Sequence, residues 1–156
     1  MYVLNPNKLF SLLKALELIE KKLSPTRYST GNNFVSLLTF MGCSPNIELE
    51  PQDDKPFCYI EIESTQKVQF ISGKNTKFPP CPHCKKPLKD TSCAHCDKQI
   101  DLAKLNWRKS AFVASSWITI GNIYELEAVP NDQLLDTLKN ETGVNWKPAY
   151  IRQETH

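Results

Sequence analysis

The sequence predicts an α+β domain carrying a short insertion, and three observations lead there. Leucine and isoleucine recur at helical spacing near the N-terminus; strand-like runs lie on both sides of the middle; and the middle itself is a Pro- and Lys-rich stretch with four closely spaced cysteines. At 156 residues the chain can build one core of ordinary size with a small module added. The economical organisation is a single domain over residues 1–156 with an insertion at 78–98.

Asn5-Pro6 reads as an N-cap followed by proline at the first helical position. Leu9, Leu12, Leu13, Leu16, Ile19 and Leu23 then keep one helical face apolar, Lys21 and Lys22 complement the dipole of a last turn, and Ser24-Pro25 stops it. A helix over residues 6–23 follows, its leucines serving as core because no heptad continues beyond them. After Gly31-Asn32-Asn33, the run from Phe34 to Met41 predicts a buried strand ended by Gly42.

Cys58 to Glu63 alternates and predicts a half-buried strand, with Val68 to Ile71 as its hairpin partner. The Pro- and Asp-bearing stretches Ser44-Pro45-Asn46 and Glu50 to Pro56 read as loop. Beyond the cysteines, Ala111 to Val129 is strand-like with a break at Gly121-Asn122. Pro130-Asn131 then opens a short helix with Leu134, Leu135 and Leu138, and Gly143 caps it. Trp146 to Ile151 reads as a final strand. Tyr2 to Asn7 before the first helix echoes Tyr124-Glu125-Leu126 and Pro130-Asn131 before the second, which predicts two strand-helix-strand halves in a ferredoxin-like sandwich.

The chemistry lies in Cys81-Pro82-His83-Cys84 and Cys93-Ala94-His95-Cys96, with eight residues between them. Each C-x-x-C pair puts two thiolates on one tight turn, and two such turns complete a tetrahedral four-sulfur site. The pattern resembles the zinc-ribbon or rubredoxin-like knuckle class over residues 78–98, which implies a structural Zn2+ and leaves substrate and partner open. Cys-Pro-His-Cys also suits a redox pair, but that needs a helix N-terminus behind the first cysteine. Pro79-Pro80 precedes it here, and Pro87 would break a helix as it began. Lys85 and Asp97 stand where haem attachment would need histidine. Four cysteines satisfy the ion, so His83 and His95 are expected to face solvent. A closed site of this kind cannot activate water and serves to fold its own segment.

Little else reads as catalytic. Cys43 and Cys58 fall at strand ends and read as core, since the one histidine outside the knuckles is His156. Five scattered glycines make no phosphate-cradling loop. Glu61 with Glu63, and Glu125 with Glu127, share strand faces and read as exposed, although a cleft lined by a carboxylate pair with raised pKa values would suggest an enzyme.

The N-terminal apolar residues are broken by Lys8, Lys14, Glu17 and Glu20, and the charge-free stretch Ser110 to Tyr124 is too short and polar to span a bilayer, so a cytoplasmic protein without a membrane partner is expected. Net charge is +2, yet Lys67 to Lys109 holds ten basic and three acidic residues, +7, leaving −5 elsewhere. Lys85, Lys86, Lys89, Trp107, Arg108 and Lys109 are the candidate polyanion contacts, with Trp107 either a stacking surface for bases or a packing residue. The acidic remainder would repel extended nucleic acid, which favours a protein partner and an adaptor role over nucleic-acid or ribonucleoprotein binding.

Overall fold

In the structure, a computed structural model, the described residues are 4–40, 49, 57–123 and 127–153. They form a mixed α+β protein of three α-helices and six strands, the expected class. The four-stranded sheet has the order β1-β2-β4-β5, and β3 and β6 make a separate pair. Two compact units are present: Met1–Lys67 with Ser115–Pro148, and Val68–Ala114 with Ala149–His156. Among the described residues no helix is long and apolar enough to cross a membrane.

In the first unit, α1 (Pro6–Ala15) begins as its sequence demands, with Asn5 Oδ1 accepting from the Asn7 amide 3.0 Å away and Pro6 in the first turn. It ends well before residue 23. Glu17 turns left-handed at φ 58°, and β1 (Ile19–Lys22) follows. The reason is tertiary: the carbonyl of Leu16 accepts from Asn33 Nδ2, that of Glu17 from the Asn33 amide, and that of Leu18 from the Gly31 amide. These bonds satisfy carbonyls that a longer helix would have used for itself. Any side chain at Gly31 would strike the Glu17 carbonyl, so the close approach needs glycine there.

β1 pairs antiparallel with β2 (Arg27–Thr30), and β2 pairs antiparallel with β4 (Tyr59–Ser72). The run from Phe34 does not start as a strand. α2 (Phe34–Leu37) is a single helical turn that buries Phe34 and Leu37 three residues apart and leaves Val35 exposed; β3 (Leu38–Phe40) follows. The expected hairpin at 58–71 is one strand of 14 residues, because Ser64 to Lys67 contains no turn-forming glycine, proline or asparagine. Contacts of Tyr59 with Gly121, of Ser64 with Ser116, and of Thr65 with the Ser115 carbonyl run in opposite senses along β4 and β5 (Ala111–Gly121), so the two strands are antiparallel neighbours.

The break at Gly121-Asn122 is present, with Asn122 left-handed at φ 60° and its Nδ2 donating to the Phe57 carbonyl. β6 (Ala128–Pro130) then pairs antiparallel with β3, and α3 (Asp132–Thr142) ends on left-handed Gly143. Trp146 to Ile151 is not a strand; Trp146 Nε1 instead donates to Thr142 Oγ1 at 2.9 Å. With β1-β2-β4-β5 as one sheet, β3-β6 as another and no closing strand among the described residues, these residues form an antiparallel meander with a satellite pair in place of the ferredoxin-like pairing of two strand-helix-strand halves. The expectations on Met41, Gly42, residues 44–46, residues 50–56, Tyr2 and Tyr124 to Leu126 lie outside the described residues.

One core fills this unit, with Leu9, Leu13, Leu18, Phe34, Cys58 and Ile60 almost wholly buried. Asn131 links its parts: Oδ1 caps α3 by accepting from the Leu134 amide at 2.9 Å, Nδ2 donates to the Ser36 carbonyl at 2.7 Å, and its own amide donates to the Leu37 carbonyl. Asn131→Ala is expected to lower stability by about 1–3 kcal/mol, a lost cap plus a lost hydrogen bond. Asn131→Asp, which keeps the cap and loses only the donor to Ser36, should cost less. Urea denaturation of the two variants measures the difference.

Candidate metal centre

The second unit has little apolar material. Around the cysteines, Cys81, Leu88 and Cys93 are buried, with Phe78, Cys84, Cys96, Ile100 and Leu105 packed on them. So small a cluster cannot by itself offset the entropy of ordering the segment.

What the chain does there is form two matching knuckles. After each C-x-x-C turn the next residue is left-handed, Lys85 at φ 64° and Asp97 at φ 52°. The first knuckle closes with the Cys81 amide donating to the Lys86 carbonyl and the Lys85 amide to the Cys81 carbonyl, flanked by a bridge between Pro80 and Pro87. In each knuckle the backbone amides two and three residues on turn toward the first sulfur: those of Cys84 and His83 toward Cys81, those of His95 and Cys96 toward Cys93.

These turns bring together one sulfur atom from each of Cys81, Cys84, Cys93 and Cys96, all within 4.8 Å of one another, as a group able to hold a metal ion. Across the two knuckles Cys81 Sγ lies 3.7 Å from Cys96 Sγ, and Cys84 Sγ 3.6 Å from Cys93 Sγ. A zinc tetrahedron with Zn–S of about 2.3 Å has sulfur–sulfur edges of about 3.8 Å. A disulfide needs about 2.05 Å. The spacing therefore fits a shared cation and does not fit a bond between sulfurs.

Electrostatics agrees with the geometry. The Cys81 thiol is drawn down to about 6, chiefly by the Cys84 amide and also by the His83 amide, against desolvation. The amides of His95 and Cys96 lower Cys93 in the same way. At Cys96 the Lys98 amide pulls down, but desolvation and the neighbouring thiols push the group up to about 11. Four thiols this close cannot all ionise without a cation among them.

His83 and His95 are exposed, as expected of inner knuckle positions; His83 Nε2 lies 3.1 Å from the Gln99 carbonyl. Lys85, Lys86, Lys89, Arg108 and Lys109 are also exposed. Trp107 is not: 5% exposed, it sits against Phe70 and Phe78 with ring centroids 5.0 and 5.2 Å away, and its Nε1 donates to the Leu102 carbonyl. Of its two expected placements, packing is the one found, so it offers no face for a base. Cys58 is wholly buried and its thiol is pushed up to about 12, by desolvation and by Glu127, as suits a core residue. Cys43, Glu125 and His156 lie outside the described residues.

The Glu61–Glu63 pair is not simply exposed, as the strand pattern had suggested; both are partly buried and share a hydrogen bond. Glu63 lines an open cleft of about 520 Å³ with Phe10, Lys22 and Tyr28, whereas Glu61 turns to Arg27, whose guanidinium also lies 4.2 Å from the centre of the Tyr59 ring. The bond to Glu61 raises Glu63 to about 7, with desolvation adding to it, while Glu61 is lowered by its bonds to Glu63 and Arg27 against desolvation. The cleft thus meets one raised carboxyl group and not the pair an acid/base site would need. In comparisons with protein-family models, curated proteins and solved structures, nothing matches the chain.

The carboxyl pair has a consequence for stability. Glu63 is raised above its ordinary 4.5, so its contribution is full below that pH and is lost as pH rises through about 7. Glu61 is lowered, so its contribution is present above 4.5 and lost as pH falls. Thermal unfolding from pH 4 to 8 should therefore give a maximum on the mildly acid side. Glu63→Gln should remove the decline between about 5 and 7.5, an outcome read directly from melting temperature against pH.

Proposed function

We propose that Cys81, Cys84, Cys93 and Cys96 hold one structural zinc ion in a zinc-ribbon-like knuckle pair, and that the chain is a non-enzymatic binding or adaptor module folded by that metal. The observation that carries this is the sulfur geometry: edges of 3.6 and 3.7 Å in a group of four thiols, with backbone amides directed at the first sulfur of each knuckle. Thiolate suits zinc among the common divalent ions, and four protein ligands leave no position for substrate or water. The metal's contribution is then folding free energy for a unit with few buried apolar residues. A reducing compartment such as the cytoplasm would keep all four thiols available. We place the metal module as an insertion, over residues 78–98, in a chain that otherwise supplies its own core.

The protein purified without chelator should carry one zinc per chain after dialysis, measured by elemental analysis. Metal content near zero, with a Cys81–Cys84 disulfide, would defeat the reading and favour redox chemistry. Cys84→Ser should lose the metal and the order of the knuckle segment while retaining most of the circular dichroism of the helices and long strands. Complete unfolding of that variant would show that the ribbon belongs to the main core.

A further inference from the structure

Three separate stretches of the second unit are tied together at one place, and each carries cations. Residues 73–77, 107–110 and 150–152 meet through a network centred on Asn75, Thr76 and Ser110. Asn75 Nδ2 donates to the Tyr150 carbonyl and Asn75 Oδ1 accepts from the Arg152 amide. Thr76 Oγ1 donates to the Ser110 carbonyl and accepts from the Gly73 amide. The Lys77 amide donates to Ser110 Oγ, the Lys74 amide to the Arg152 carbonyl and the Tyr150 amide to the Lys109 carbonyl. A side chain at Gly73 would strike the Arg152 carbonyl, so the approach needs glycine.

The cations so gathered are Lys74, Lys77, Arg108, Lys109 and Arg152, all exposed, on stretches without an acidic residue. Of the described acidic residues of this unit, Asp90 and Asp97 belong to the knuckle segment, and Asp101 pairs with Lys104. Among the described residues the ion pairs are Arg27–Glu61 and Lys104–Asp101, so Lys74, Lys77, Arg108 and Lys109 have no carboxylate partner.

The turn that carries two of them is unusual. Arg108 and Lys109 are both left-handed, at φ 52° and 61°, and the Ser110 amide closes on the Trp107 carbonyl at 3.0 Å, the pattern of a type I′ turn. Asn-Gly is the pair that such a turn accepts without strain. Here an arginine and a lysine occupy it, over a buried Trp107 and a buried Ser110 whose Oγ donates back to the Trp107 carbonyl. Strain retained under two unpaired cations points to what the cations do rather than to what the turn needs.

We propose that this platform binds the phosphate backbone of a nucleic-acid duplex, through contacts that do not read sequence. This rests on the reading of the chain as a metal-folded binding module and names its partner. Phosphate chemistry is favoured because the five positions are cationic on stretches held together by backbone bonds, and because Lys74, Lys77, Arg108 and Lys109 have no carboxylate partner among the described residues. A duplex is favoured over a single strand because Trp107, the aromatic residue at the start of the cationic turn, is buried against Phe70 and Phe78 and offers no face for a base. A duplex also has the higher charge density. The −5 balance outside Lys67 to Lys109 had favoured a protein partner, but that charge is not on these stretches.

The test is fluorescence anisotropy of the zinc-loaded full chain with labelled DNA and RNA duplexes and a single strand of equal length, from 50 to 200 mM salt. Each phosphate contact contributes about 0.9 to the log–log salt slope. Arg108→Asn with Lys109→Gly removes two contacts while relieving the turn. It should lower the slope by about 1.8 and affinity on the order of 50-fold at 0.1 M salt, with a melting temperature equal to or above that of the parent. Arg108→Gln with Lys109→Gln should reproduce the loss if the first pair disturbs the fold. Changing Lys85, Lys86 and Lys89 to Ala should matter less than either pair. No duplex binding at 50 mM salt, equal binding by parent and turn variants, or binding of anionic vesicles or an acidic protein in place of duplex would overturn the proposal. Zinc is assayed in the same samples: a loaded chain that fails to bind sinks the platform alone, and a metal-free chain that binds through the turn sinks the metal reading alone.

Discussion

Four sulfur atoms within 4.8 Å of one another, in a cluster whose one buried residue besides the cysteines is Leu88, set the condition on which the second unit depends. Thiols in that arrangement repel as they ionise: the Cys84 and His83 amides draw Cys81 down to about 6, while desolvation and the neighbouring thiols push Cys96 up to about 11 against the pull of the Lys98 amide. A divalent cation at this group, as proposed, would reconcile the four and add folding free energy to a segment with little buried apolar surface. The backbone amides over Cys81 and Cys93 are the protein's own share of that work, since each withdraws charge from sulfur before any partner is considered.

How much of the fold could be read from sequence depends on which interactions decide each element. Local chemistry decided the start of α1 and the whole of α3: Asn5-Pro6, Asn131 and Gly143 act within one turn of their own position, and the helix ends they predict are the ends found. The end of α1 was not legible, because Leu16, Ile19 and Leu23 keep helical spacing while the carbonyls of Leu16 to Leu18 are claimed by Gly31 and Asn33, some fifteen residues away. The run from Phe34 to Phe40 is apolar almost throughout, and such a run carries no period by which a turn of helix and a short strand could be told apart.

The site divides along the same line. Two C-x-x-C pairs are visible because each needs only its own four residues, and the structure brings their four sulfur atoms within 4.8 Å of one another. The left-handed residues that follow, Lys85 and Asp97, give no sequence signal, since glycine would be the expected marker and neither position has it. The gathering of Lys74, Lys77, Arg108, Lys109 and Arg152 was also hidden: the charge sum over 67–109 was readable, but Arg152 lies outside that window and the hydrogen bonds of Asn75 and Thr76 that draw the stretches together have no motif.

Strain then becomes informative about the chain as a whole. Six described non-glycine residues are left-handed, and four of them, Lys85, Asp97, Arg108 and Lys109, fall in the smaller unit. Each costs on the order of 1–2 kcal/mol relative to a relaxed backbone, and a unit with so small a core has little to offset it. At Lys85 and Asp97 the compensation is the closed knuckle, because a left-handed residue there lets the chain leave the sulfur cluster. At Arg108 and Lys109 it is the buried indole of Trp107 and the double role of Ser110, donor to one carbonyl and acceptor from Lys77. The first compensation rests on the knuckle around the sulfur cluster and the second on a buried aromatic side chain, so the two kinds of turn are held by separate means within one unit.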